Sequence, residues 1–436
     1  MRRRRGQQGQ VLVLAFALLL IAALLMITMF SAGQVVIAKQ RLVGATDAAA
    51  LSAATWRARV LNYHAYANRA IVANEVAIAQ AVTLSAWSKY FRTFTDNAAQ
   101  ISSAFPPVYA VLRAVAEAAA ASDEAAQWAA RIEVPARGAA DIGYKEILQR
   151  SQEILHLTAG GFGLSAVATE IVRASDRDFF AWTLSDGGAF AGFTRRYDSD
   201  EDRQRLKELV LASLDPFVAG PRSADLPRPF PPGCLPLPRL RKRGTTELTP
   251  DLERWEAVDT ISLHVGRLRL FGCRDGEVLP LGWGAAEADA VGTGALIASG
   301  GGVTINPAAL QLAEQELESH RPFAGIARVR ELSEDVMAAS RYPSSRVAVV
   351  ARHRGARVAT ALNRALAAGR VLARDEFAPG DGGRYLWALS SAEVYFRRPP
   401  GPQHRLELPS LYNPYWQARL VEPSAEERDA AASYLR

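Results

Sequence analysis

Two hydrophobic patterns of different kinds lie end to end at the start of the chain. Residues Val11–Phe30 read VLVLAFALLLIAALLMITMF, a run without charge, proline or glycine. At 1.5 Å per residue such a run matches the roughly 30 Å hydrocarbon core of a bilayer. We therefore expect one transmembrane helix over 11–33, preceded by a basic tail over 1–10 that carries Arg2 to Arg5. Positive residues on the short side hold that end in the cytoplasm and send the remainder outward. A cleaved signal peptide is the competing reading. SAG at 31–33 has the small side chains it needs, but its apolar region is normally only about 7 to 15 residues long. The retained anchor is the expectation, and no later run is long and apolar enough to span.

The second pattern is helical. From Ala45 to Phe105 there is no glycine and no proline, and alanine dominates the beginning, which predicts one long helix. Trp56, Val60, Tyr63, Ala67, Ile71, Asn74, Ile78 and Val82 recur at steps of three and four along one face. Arg57, Arg59, Asn68, Arg69 and Glu75 fall mostly elsewhere. If unbroken through Leu84, this helix reaches about 80 Å beyond Phe30. Within it, VGATDAAALSAA sets small residues in two rows, Gly44, Ala48, Ser52 and Ala45, Ala49, Ala53. Such rows let another helix approach closely, although alanine also serves simply as a good helix former. Asp47 is the lone acid between Arg41 and Arg57. On a solvated face it needs nothing further, whereas in a packed bundle it needs a cation.

Downstream, the proline pair at 106–107 starts a second helix that Pro135 is expected to end. A further helix is expected over about 141–157, with AGGFG as its stop, and a short one over 164–173. Packed on the long helix, these give a bundle over 34–175. After about Asp176 the pattern changes. DFFAWTL reads as a strand, DEDRQRLKELVLASL as a helix, and WEAVDTISLHVGRLRLFGC as one or two strands. AALQLAEQELESH reads as a helix, SSRVAVVARHR as a strand, and RYLWALSSAEVYFRRP as a strand or hairpin. The region 176–436 is thus expected to be an exported mixed domain, interrupted by a proline-rich segment at 216–240 that is a linker or a long excursion. The fold class is α+β, with α/β as the alternative.

Composition narrows the chemistry. The chain has 436 residues, 49% hydrophobic, with a net charge of +6, enough for a packed core in two or three domains. Its arginines are interspersed with acids, which argues for a solvated surface and against nucleic-acid binding. Cys234 and Cys273 are the only cysteines. In an oxidising compartment they can form one disulfide, and as buried free thiols they are the other option. GTGALIASGGG at 292–302 lacks the Rossmann spacing and a Walker lysine, so it reads as a loop. No G-x-S-x-G elbow is present, and the six histidines form no H-E-x-x-H or tight pair. DSDED at 198–202 lacks the glycine and terminal glutamate of a calcium loop and suits a helix N-terminus. No catalytic residue, metal or cofactor is expected. In SLYNPYWQARL, Tyr412, Tyr415 and Trp416 form an aromatic turn that either anchors a partner or plugs the domain's own core.

The lead-in Gln8–Gln10, the single apolar helix, and then Lys39, Arg41, Leu42, Ala45, Asp47, Ala48, Ala49, Ala50, Leu51 and Ala53 together resemble the N-terminal region of TadG-like proteins. These belong to the tight adherence (Tad) system that assembles Flp-type pili. ANRAIVANEVAIAQ at 67–80, SAEVYFRRP at 391–399 and SLYNPYWQARL at 410–420 are similar to longer members. The resemblance implies an accessory or minor pilin-like protein, anchored in the inner membrane and exposed to the periplasm. Its implied partners are other pilus-assembly or pilin-like subunits, with no nucleic acid. Two features depart from the pattern. Counting five residues from Gly6 or Gly9 reaches Val11 or Leu14 instead of a glutamate, so prepilin-type cleavage is not expected. The D-x-S-x-S metal motif of some relatives is absent. The alternatives are an exported ligand- or surface-binding module on this anchor and, third, a periplasmic enzyme.

Overall fold

The computed structural model of the chain describes residues 10–184, 188–226, 238–269, 272–289, 303–323, 325–360, 385–398 and 407–433. Its helices are α1 (Gln10–Ile101), α2 (Pro106–Thr158), α3 (Gly161–Ser175), α4 (Asp200–Ala212), α5 (Pro216–Ala219), α6 (Pro307–Gln315), α7 (Glu334–Ala339) and α8 (Ala425–Ser433). Its strands are β1 (Phe179–Thr183), β2 (Thr194–Arg196), β3 (Ala224–Leu226), β4 (Pro238–Leu248), β5 (Trp255–Arg269), β6 (Gly272–Ala288), β7 (Glu318–His320), β8 (Arg330–Leu332), β9 (Ser344–Arg354), β10 (Tyr385–Phe396) and β11 (Trp416–Val421). The chain is α+β, as its patterning implied. Cys234, GTGALIASGGG and the side chain of Cys273 lie outside the described residues, so the disulfide expectation does too.

The chain divides into two compact units. One comprises Met1–Ala65, Gln152–Arg195 and Glu331–Arg436; the other comprises Tyr66–Ser151 and Arg196–Arg330.

In the first unit, β1, β9, β10 and β11 form an antiparallel sheet in that order. Alternation along the strands turns Phe179, Ala181, Val347, Val349, Ala351, Leu386, Ala388, Ala392, Val394 and Trp416 into one core. Leu42, Ala45, Ala49, Ala53 and Leu61 of α1 and Leu164, Ala168 and Val172 of α3 close it. Small side chains on α1 bring its backbone close to the sheet. Arg57, expected away from the packed face, is 3% exposed. Its Nε donates to the Ala159 carbonyl, its Nη1 to Ser345 Oγ and the Arg346 carbonyl, and its guanidinium lies 4.4 Å from the Phe190 ring centre. Burial is tolerated because these donors find fixed acceptors.

In the second unit, β3, β4, β5, β6 and β7 form a five-stranded sheet, antiparallel except for the β6–β7 pair. Helix α6 covers Val258 and Ala285 through Ala313, and Glu277 accepts the Ala308 and Ala309 amides at its N-terminus. Asn68 and Glu75, also expected off the packed face of α1, are 0% exposed. Asn68 donates to the Arg330 carbonyl, and Glu75 accepts from the Trp255 indole. Between α1 and α2, Ser85 donates to Gln127, and Ser88 donates to Asp123, which Arg92 pairs at 3.3 Å. Asp259, 0% exposed, is paired by Arg222 and Lys242.

Pro135 does not end a helix: it sits inside α2, which absorbs the helix expected over 141–157. A mid-helix proline costs about 3 kcal/mol, and burial of Ala130 and Val134 beside it offsets that. The acids of DSDED do start a helix, α4, where Ser199 accepts the Asp202 amide.

Candidate interaction surface

Past the apolar run, α1 continues unbroken. It is the described helix long and apolar enough to cross a membrane, and no described part of the chain covers its most apolar stretch. This is the geometry of a membrane anchor.

Just beyond it the two rows of small residues part company. Ala45, Ala49 and Ala53 are 4%, 0% and 0% exposed, buried in the sheet-covered core. Gly44 and Ala48 are exposed and Ser52 is half-buried. A Cβ added at Gly44 would meet nothing within 4 Å. Around this outward row stand Val36, Ile37, Val43 and Leu51, all exposed, with Asp47 half-buried among them. Helical spacing puts Val36, Val43, Asp47 and Leu51 on one line and Ile37, Gly44 and Ala48 on the next. The described part of the fold thus uses one row and leaves the other as an apolar strip with a shallow centre.

The aromatic turn divides in a similar way. Trp416 is 3% exposed and stands edge-on to Phe193 and Phe396 at 5.8 and 5.4 Å between ring centres. Asn62 on α1 brackets it, donating to the Trp416 carbonyl and accepting its amide, both at 3.0 Å. Tyr415 packs at the core edge and Tyr412 is half-buried. Trp416→Ala should therefore cost about 3 to 5 kcal/mol, as for other buried large aromatics, measured as the shift in the denaturation midpoint. Tyr412→Ala should change it little.

One residue of this turn's setting gave no signal in the sequence. Glu331 accepts the Leu332 amide at 2.8 Å and the Leu411 amide at 2.6 Å. Burial raises its pKa to about 7, against the two amides, which favour the ionised form. In the unfolded chain the same carboxyl loses its proton near 4.5. Between those values the folded state holds a proton that the unfolded state has released, so stability is greatest below about pH 4.5 and falls as pH rises to about 7. The loss amounts to roughly 3 kcal/mol. Glu331→Gln should flatten this part of the stability profile, read by denaturant titrations at pH 5 and pH 8.

Among the described residues, no group of three or more histidine, cysteine, aspartate or glutamate side chains is placed to hold a metal ion. His156 stacks on Phe190 at 4.7 Å and lies 5.9 Å from His64, both histidines inside the first unit.

No curated protein and no solved structure matches the chain. A family model, described as Flp pilus-assembly TadE/G-like, matches residues 9–57. That span contains the apolar run, both rows of small residues and Asp47. The apolar helix and the stretch that leaves it are thus similar to the N-terminal region of TadE/G-like Flp pilus-assembly proteins.

Proposed function

We propose that this protein is a membrane-anchored accessory or minor pilin-like component of a Tad-type pilus assembly system, working through protein contacts and not through catalysis. Its N-terminus lies in the cytoplasm, its anchor is in the inner membrane, and everything beyond the anchor in both compact units is periplasmic. The observation that carries this reading is the overlap of the TadE/G-like match with an outward strip on α1 that no described part of the chain covers. The strip suits an apolar helix of another subunit, whose backbone can approach at Gly44 and Ala48. Asp47 would then be paired by a cation of that subunit, since a carboxylate enclosed without one is costly.

The test is crosslinking in membranes. Wild-type protein should be captured with pilus-system subunits. Gly44→Leu/Ala48→Leu should lose them at unchanged protein level, because the added side chains point away from the chain's own core. Absence of any pilus-system protein from the wild-type capture would sink this reading. Topology is tested separately by alkaline phosphatase fused after Leu84, where an inactive fusion contradicts a periplasmic position.

A further inference from the structure

The outer face of the first unit's sheet, opposite its core, carries a cluster that neither the anchor nor the outward strip uses. Phe180 and Trp387 flank Arg352 as its direct neighbours on β1 and β10, with Trp182 and Tyr385 two positions along on the same face. The Arg352 guanidinium lies 5.3, 5.8, 4.8 and 5.9 Å from the ring centres of Phe180, Trp182, Tyr385 and Trp387. Trp182 and Trp387 meet at a right angle, 5.7 Å apart. Phe180 is 41% exposed, while Trp182, Tyr385 and Trp387 are half-buried, both tryptophans packing on their inner side against Leu184, Ala348, Val350 and Ala431. Among the described residues no carboxylate pairs with Arg352, and Arg354 stands exposed on the same strand face. A cavity of about 520 Å³ opens beside the rings, lined in part by Phe180, Trp182 and Arg173.

Contacts with α1 fix which end of the sheet this is. Lys39 donates to the Trp387 carbonyl. Arg57 reaches Ser345 and Arg346, at the opposite end of β9. Asn62 reaches Trp416, the neighbour of Phe396 at the far end of β10. The sheet therefore runs along α1, with the aromatic cluster at the end nearest the anchor. Lys39 is the first charged residue after Arg5, and it stands about 13 Å along the helix axis beyond Phe30. A first charge after a long apolar run marks the headgroup layer, which puts Trp387 beside that layer.

We propose that Phe180, Trp182, Tyr385 and Trp387, with Arg352, form a docking patch for the bilayer surface from which α1 emerges, the rings lying among the headgroups and Arg352 binding a lipid phosphate. Tryptophan and tyrosine are enriched at this depth because each has an apolar body and a polar tip. Arg352, with no acid partner among the described residues, supplies the planar fork that phosphate favours, and anionic lipid attracts nearby cations. The patch thus fixes the first unit against the membrane at a second point besides the helix. It rests on the reading of α1 as an anchor.

The experiment uses the full chain reconstituted in vesicles containing phosphatidylglycerol and lipids spin-labelled either near the headgroup or near the chain end. Tryptophan fluorescence should be quenched by the shallow label. Trp182→Phe/Trp387→Phe should remove at least half of that quenching, and Arg352→Gln should reduce it by about half. The two phenylalanine variants are also read singly, so that one folded variant suffices. Shallow quenching unchanged in these variants, or stronger quenching by the deep label, overturns the patch. An alkaline carbonate wash separates the two claims: a chain that leaves the vesicles contradicts the anchor, while one that stays yet lacks Trp182- and Trp387-dependent quenching contradicts only the patch.

Discussion

Replacing Gly284 with alanine is expected to destabilise the second unit strongly. A Cβ at this position of β6 would lie 2.2 Å from the Ala86 carbonyl oxygen and 2.4 Å from the Tyr90 nitrogen of α1. Both are backbone atoms, so no side-chain rotation relieves the overlap. The approach is held by hydrogen bonds as well: Thr93 Oγ1 donates to the Trp283 carbonyl at 2.7 Å and accepts its amide at 2.8 Å, and Asn97 donates to the Leu281 carbonyl. Two positions earlier, a Cβ at Gly282 would meet Phe94 Cβ at 2.6 Å. The helix thus lies directly on the strand backbone, and the glycines make that possible. Overpacking against rigid backbone costs at least about 3 kcal/mol, or on the order of 10 °C in melting temperature for a unit of this size. Near-UV circular dichroism on heating measures it. Gly276→Ala is the control in the same strand, since nothing lies within 4 Å of its added Cβ. Equal melting of the two variants would show that α1 and β6 are not in this contact.

The second large effect is expected at Asp259. Its carboxylate, fully buried, receives Arg222 Nη2 at 2.9 Å and Nε at 3.0 Å, and Lys242 Nζ on the other side. Lys242 also lies 4.1 Å over the Tyr90 ring. Burial pulls the lysine pKa down, and Asp259 opposes that. Asp259→Ala leaves two enclosed cations without their anion, a loss of about 3 to 5 kcal/mol. Lys242→Met in the same background removes one of those cations and should recover part of it. The four proteins form a cycle whose coupling energy is read from denaturant midpoints. Additive losses would mean that the pair does not interact.

Much of α1 was legible because its signals are local. The absence of proline and glycine announced a long helix, and Val60, Ala67, Ile71, Asn74, Ile78 and Val82 are all buried, as their spacing implied. Strands β1, β9 and β10 and the start of α4 were legible for the same reason. What stayed hidden depends on residues far apart in sequence. Arg57 and Glu75 read as surface positions because their acceptor and donor lie at Ser345 and Trp255. Pro135 read as a stop because its neighbours' burial is a tertiary fact. Gly282 and Gly284 sit in β6, a strand not expected from the sequence, and nothing local says that a helix backbone rests on it. The two rows of small residues looked equivalent, and only the sheet of the first unit distinguishes the buried row from the open one. The aromatic and arginine residues of the outer face come from three strands, so no single stretch announces them.

The interleaving of the two units bears on how the molecule is made. The face of α1 from Leu42 to Leu61 belongs to the first unit, yet the strands that cover it, β9, β10 and β11, come from the last quarter of the chain. Synthesis proceeds from the N-terminus, so this face leaves the ribosome long before its cover exists. It must stay soluble through the whole of the second unit's emergence. Its run of alanines suits that wait, because alanine offers little sticky surface to a wrong partner. A chain cut off before β9 would carry the anchor but never complete its first unit, and full-length translation becomes a condition for folding at the membrane.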